Sequence, residues 1–319
     1  MIRNWKIKSK PISKWEREEA RSEEQISEVE NVGPDRGSVR RIIKSPFYWR
    51  TKIRRKYDPA RHWGDFESKA TCYRKQRKRI NLLRKICSSG SWAAQGEVSP
   101  VLTLLEGCRK GHRCGSPSCA LCMRQYRRWF VSEALYALRD QPRPLYFTTL
   151  ILHEYLMPHD IDAAKVVAFR DNVMKRLQAT LPPEARLIGW VEVSWEADQN
   201  GFMAHLHAVS GGCSYKDLRT LKPKRGLVPG KRPLVVKKIK DGDEMAVTTY
   251  TVKQFPPGTR IRKAKAERRE AARGGNPKRK AISAETRRLL GMANFRADEL
   301  IITRGLRREK NGRRLKEVR

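Results

Sequence analysis

Apolar and polar positions alternate along this chain with two periods, and the switch between them outlines the fold. "LYFTTLIL" (145–152), "RLIGWVEVSWE" (186–196) and "FMAHLHAVS" (202–210) carry the β-branched and aromatic density of strands. The last two are joined by "ADQNG", whose Asn200-Gly201 pair predicts a two-residue hairpin turn. Between the first and second, "DIDAAKVVAFRDNVMKRLQATLPP" predicts a helix with Asp160 as N-cap and a double-proline stop. "KRPLVVKKIK" (231–240) predicts a further strand, whereas propensity leaves "DGDEMAVTTYTVKQF" undecided between helix and strand. Upstream, "FESKATCYRKQRKRINLLRKI" has a helical period with a basic outer face, "CSSGSWAAQGE" is expected to be a loop, and "MRQYRRWFVSEALYALRD" is a second amphipathic helix. A helical "SAETRRLLGMANF" and a strand-like "ELIITRGL" near the end suggest a return to the sheet.

Charge adds a partner class. Seventy Lys and Arg stand against 34 acids among 319 residues, a net charge of +36. Such a field attracts polyanions, nucleic acid above all. With 39% hydrophobic residues, only part of the chain can form a core. Residues 1–60 show no sustained period and are expected to form a mobile basic arm in which Phe47, Tyr48 and Trp49 lie beside Arg50, Lys52, Arg54 and Arg55. Residues 61–140 form a helical, cysteine-rich region, 141–256 the core, and 257–319 a basic linker followed by the last helix and strand. No window approaches the roughly 18–20 apolar residues of a membrane span, and the N-terminus lacks the apolar run of a secretory signal. A cytoplasmic protein without membrane contact is expected.

Of the seven cysteines, Cys108, Cys114, Cys119 and Cys122 crowd into "CRKGHRCGSPSCALC". Closely spaced cysteines joined by glycine-containing turns suit tetrahedral Zn²⁺, with His112 a rival ligand for one place. Such a site is structural, since four protein ligands leave no open position.

His205 and His207 lie two apart on a predicted strand, so their imidazoles share one face. That is half of a metal site, wanting oxygen ligands from a neighbouring strand. A two-residue turn at Asn200-Gly201 would set Glu196 opposite His205 and Ser194 opposite His207, with Glu192 one step further on the same face. Further on, "YTVK" places Tyr250 and Lys253 on one side of any helix there. A phenol beside a bound cation can attack a phosphodiester. Tyr146, Tyr155 and Tyr215 lack the downstream lysine.

In order and character, "YFTTL", "HLHAV" and "YTVK" resemble the three motifs of the His-hydrophobe-His (HUH) endonuclease superfamily, in particular the rolling-circle replication initiators (Rep) of plasmids and phages. The resemblance covers roughly residues 100–255. It implies an α+β fold of RRM/ferredoxin-like type: a central antiparallel sheet with flanking helices, packed on one side, preceded by a small helical zinc-binding subdomain. It also implies Mg²⁺ or Mn²⁺ on His205, His207 and a glutamate. Family spacing favours Glu192, and the simple hairpin favours Glu196. Tyr250 would nick single-stranded origin DNA, leaving a 5′-phosphotyrosine and a 3′-hydroxyl for the host helicase and polymerase, with Lys253 at the phosphate. Ala246 occupies the place of the glutamate that such initiators use in termination, and no second tyrosine stands one turn from Tyr250. An HUH transposase, or a zinc-containing nucleic-acid binder without catalysis, fits many of the same residues.

Overall fold

The computed structural model describes residues 67–88, 92–109, 112–196, 199–223, 232–252, 284–308 and 315–317. The readings of the N-terminal arm, the basic linker after Pro257 and Lys253 lie outside these residues. Five strands form one antiparallel sheet: β1 (Tyr146–Ile151), β2 (Arg186–Glu196), β3 (Gly201–Gly211), β4 (Leu234–Lys238) and β5 (Ile301–Arg304), in the order β4-β1-β3-β2-β5. The fold is therefore α+β, and "ELIITRGL" does return to the sheet as its edge strand beside β2. Leu306–Arg308 (β6) and Leu315–Glu317 (β7) form a separate ribbon.

The two central strands are buried along nearly their whole length rather than at alternate positions. Both faces of the sheet are therefore covered, which corrects the expectation of helices on one side. On one face lie Leu187, Val191, Val193, Phe202, Ala204 and Leu206, all fully buried. The other face bears the histidines together with Ile188, Trp190 and Val209. There Trp190 packs on Tyr126 of α3 (Ala120–Leu138), ring centroids 5.1 Å apart. Val166, Phe169, Val173 and Leu177 of α4 (Ala163–Thr180) join the same core.

The β2–β3 register differs from the simple hairpin. Glu196 pairs with Gly201 and Glu192 with His205, so the partner of His205 moves by 196 − 192 = 4 positions. Asn200 takes positive φ (46°) and Gly201 does not, so this pair lacks the two consecutive positive-φ residues of a type I′ turn. A four-residue connection, 197–200, results, with the Gln199 amide bonded to the Glu196 carbonyl (3.1 Å). Gly201 is needed for close approach instead: a β-carbon there would stand 2.9 Å from the Met157 carbonyl oxygen.

Two further expectations change. Residues 92–97, expected as part of a loop, instead open helix α2 (Trp92–Glu106), because Val98, Val101 and Leu105 bury one helical stripe and outweigh the weak propensities of Gly96 and Pro100. Asp162, not Asp160, caps α4, its carboxylate accepting from the amides of Ala164 (2.8 Å) and Lys165 (3.3 Å). Burial of Ile161 against Gly291 fixes that phase.

The undecided segment is helix α6 (Glu244–Thr251), preceded by the short α5 (Tyr215–Arg219). Buried Glu244 takes the Gly242 amide (2.8 Å) and pairs with Arg143 (2.5 Å), pinning the first turn of α6. Thr248 and Thr251 donate to carbonyls one turn back, at 2.6 and 3.1 Å, which satisfies residues that by propensity favour strands.

A second cluster of buried residues lies between α1 (Lys69–Cys87), α2 and the start of α3, and Leu290 and Ala293 of α7 (Ala284–Ala293) pack against it. Among the described residues no helix is long and apolar enough to cross a membrane.

Candidate functional site

The even register shift keeps every predicted ligand on one face. Residues of like parity on β2 and β3 still point together, so Glu192, Ser194, Glu196, His205 and His207 share a surface. The structure sorts them into two pairs. His207 Nε2 lies 3.0 Å from Glu192 Oε2, and both residues are buried, at 5% and 4% exposure. His205 Nε2 lies 3.6 Å from Glu196 Oε1 and 3.5 Å from Ser194 Oγ, whose hydroxyl donates to Glu196 (2.9 Å). The imidazole centroids are 6.2 Å apart.

These donors do not all converge on one point. Among the described residues, only the four cysteines bring three or more ligand atoms of this kind within 4.8 Å of one another. The Glu192–His207 separation nevertheless suits neighbouring ligands of one octahedral ion, which at metal–ligand distances of about 2.1 Å stand roughly 3.0 Å apart. Behind the pair, Thr149 Oγ1 lies 3.0 Å from His207 Nδ1. A hydroxyl can donate or accept there, so Thr149 suits either ring tautomer and holds the imidazole in place while Nε2 faces the carboxylate.

Tyr250 comes to this face from α6. Its ring meets His207 edge-on at 5.8 Å between centroids and Phe147 edge-on at 5.6 Å, and Phe147 stacks on His207 at 5.9 Å. Tyr250 stays 49% exposed. One side of the phenol is thus fixed by aromatic contacts and the other is open to solvent. Glu244, the acid nearest Ala246 on this helix, is committed to Arg143 and the Gly242 amide.

Thr149, Phe147 and Arg288 were not singled out from the sequence. Thr149 and Phe147 lie within "YFTTL", but their role depends on a β1–β3 register that pairs Thr149 with His207. Arg288, on α7, faces the charge of Glu192; burial pulls its guanidinium down to about 10, with Glu192 opposing. No local signal in "ETRRLL" marks it.

The cysteines sit where three segments meet. Cys119 caps α3 and Cys122 lies in its first turn. Sulfur separations are 3.4 Å (Cys108–Cys119), 3.5 Å (Cys108–Cys122) and 3.6 Å (Cys114–Cys122). The amides of Gly115 (3.3 Å) and Cys122 (3.5 Å) point at Cys122 and Cys119 sulfurs. Hydrogen bonds from Cys114, Cys119 and Cys122 hold the Cys108 thiol far below its ordinary range, and the thiols of Cys114 and Cys122 are pushed up in return, first by their bonds to Cys108. A set of sulfurs already favouring a thiolate could hold a metal ion such as zinc. His112 is exposed and exchanges two backbone hydrogen bonds with Arg109, so it turns the chain rather than joining the sulfurs.

No protein-family model, curated protein or solved structure matches the chain.

Proposed function

We propose that this chain is a rolling-circle replication initiator of the HUH type, a single-tyrosine enzyme that nicks and rejoins single-stranded DNA. The observation that carries this reading is the edge-on contact of Tyr250 with His207, whose Nε2 in turn meets buried Glu192. In the reaction the Tyr250 oxygen attacks the scissile phosphorus and gives up its proton. The bond to the 3′-oxygen breaks, that oxygen takes a proton, and the 5′ side remains as a phosphotyrosine. Rejoining runs the same exchange backwards.

His205, His207 and Glu192, with Glu196 as the rival acid, would hold Mg²⁺ or Mn²⁺, which neutralises charge on the phosphate. Burial and direct contact with His207 favour Glu192. Thr149 and Phe147 orient the imidazole and the phenol. Lys253 would position the phosphate. The four cysteines would hold structural Zn²⁺. A released 3′-hydroxyl implies a host polymerase and helicase as partners, at an origin in the cytoplasm.

The test is capture of covalent adducts from a randomised, hairpin-bearing single-strand DNA library with Mn²⁺ under denaturing conditions. Protein-linked strands with the native chain and none with Tyr250→Phe are expected. No linked strand with either form would leave a second reading, a zinc-containing nucleic-acid binder, which the incomplete convergence of the imidazole and carboxylate donors favours.

A further inference from the structure

Helix α1 has 19 residues, eight of them Lys or Arg and none acidic. Its buried stripe is Cys72, Gln76, Arg79 and Leu83. Arg79 donates to the Ser118 carbonyl (2.8 Å), Lys75 pairs with Glu67 and Arg84 pairs with Glu106 (2.8 Å), whereas Arg74 donates to Thr71 (3.2 Å) and Lys69 lies over the Tyr73 ring, both contacts within the helix itself. The opposite half of the helix shows Lys69, Tyr73, Arg74, Arg77, Lys78 and Lys85 to solvent. At 100° per residue these six fall within one half-cylinder, along about 24 Å of helix axis.

The setting of that face is fixed by buried polar contacts. Gln76 donates to the Leu105 carbonyl and accepts from the Ala120 amide, both at 3.0 Å, so one side chain ties α1 to the end of α2 and the start of α3. With Arg79 on Ser118, both anchors reach the backbone immediately before or after Cys119. The face is thus aimed by the segment that carries the cysteines.

We infer that the exposed half of α1 is a docking surface for the phosphate backbone of duplex DNA, separate from the face that carries Tyr250. A rigid row of cations suits the fixed phosphate spacing of a duplex, and the major groove of B-form DNA admits a helix. Single-strand binders rely on successive stacking rings, and this face has one, Tyr73. The deep, narrow major groove of duplex RNA excludes such a helix. The surface is independent of the chemistry proposed at Tyr250.

The test uses the full chain and fluorescence anisotropy with a labelled 20-base-pair DNA duplex, the corresponding single strand and the RNA duplex, across a salt series. The probe variant is Arg74→Gln/Arg77→Gln/Lys78→Gln, and the charge-matched control is Lys216→Gln/Lys222→Gln/Lys240→Gln, also exposed. Duplex DNA affinity should fall at least tenfold in the probe variant at 0.15 M salt, and the slope of log affinity against log salt should drop by about 2.7, three phosphate contacts at about 0.9 each. The control, and the probe variant on single strands, should stay within twofold. Equal losses in probe and control, parallel losses on duplex and single strand, or duplex RNA bound as tightly as duplex DNA would each overturn the inference. Zinc content and circular dichroism of the probe variant must match the native chain, which separates surface loss from unfolding.

Discussion

Glu192 pairs with His205 across the β2–β3 ladder, yet its carboxylate reaches diagonally to His207, 3.0 Å away. The two histidines therefore face acids of different character. One acid is buried and confined. The other, Glu196, is partly exposed and shares its charge with the Ser194 hydroxyl.

That contrast separates the two glutamates experimentally. If Glu192 is a ligand, Glu192→Gln should weaken Mn²⁺ binding by at least the roughly tenfold to hundredfold that loss of an outer partner costs, because a neutral amide is a poorer ligand than a carboxylate for a hard cation, while Glu196→Gln should change it by much less. Titration calorimetry with Mn²⁺ measures both. Equal effects would remove the preference for Glu192.

Tyr250 is half-exposed and its ring keeps the edge contacts with Phe147 and His207 in Tyr250→Phe, so that variant should lose less stability than the alanine variant. Tyr250→Ala, which also deletes the contacts with Phe147 and His207, should cost about 0.5–1.5 kcal/mol. Thermal unfolding of the two variants distinguishes a chemical from a structural contribution of this ring.

Zinc binding should strengthen as pH rises. Bonds to Cys108 are the first cause that holds the Cys114 and Cys122 thiols up, favouring the form that keeps its proton, while hydrogen bonds from the other sulfurs hold Cys108 down. Zinc must displace those protons, so acid opposes it. Log affinity should therefore climb with pH near neutrality, and calorimetry in buffers of different ionisation enthalpy counts the protons released. Cys122→Ser should lower zinc content and destabilise α1 and α2.

Gly201→Ala should destabilise the hairpin by about 1–3 kcal/mol through overpacking, because the new methyl group meets the Met157 carbonyl at 2.9 Å. Asn200→Gly should be neutral or stabilising by a few tenths of a kcal/mol, since φ there is already positive. Chemical denaturation with a constant m-value measures both.

Much of the site follows from parity alone. Side chains two or four apart on a strand share a face whatever the register, so the grouping of His205 and His207 with Glu192, Ser194 and Glu196 survives the four-position shift. Which acid meets which imidazole does not follow from parity, because it depends on a connection whose geometry Asn200 and the packing of Gly201 decide. Helix α6 was illegible for a related reason: its threonines favour a strand, and the bonds that overrule them come from Arg143 and from carbonyls one turn back. The start of helix α2 was hidden by Gly96, which falls within the expected loop. Thr149 and Arg288 enter only through long-range pairing, which no local window contains.

Helix α3 starts at the cysteines and, 19 residues later, ends beneath the sheet. Its rise makes it a strut of about 28 Å, buried against both clusters and lacking an internal hinge such as proline. A ligand touching both ends must therefore match a set interval. Lengthening the strut by one turn would preserve each end separately while spoiling their joint use, so the molecule behaves as a gauge with its scale cast in a single piece.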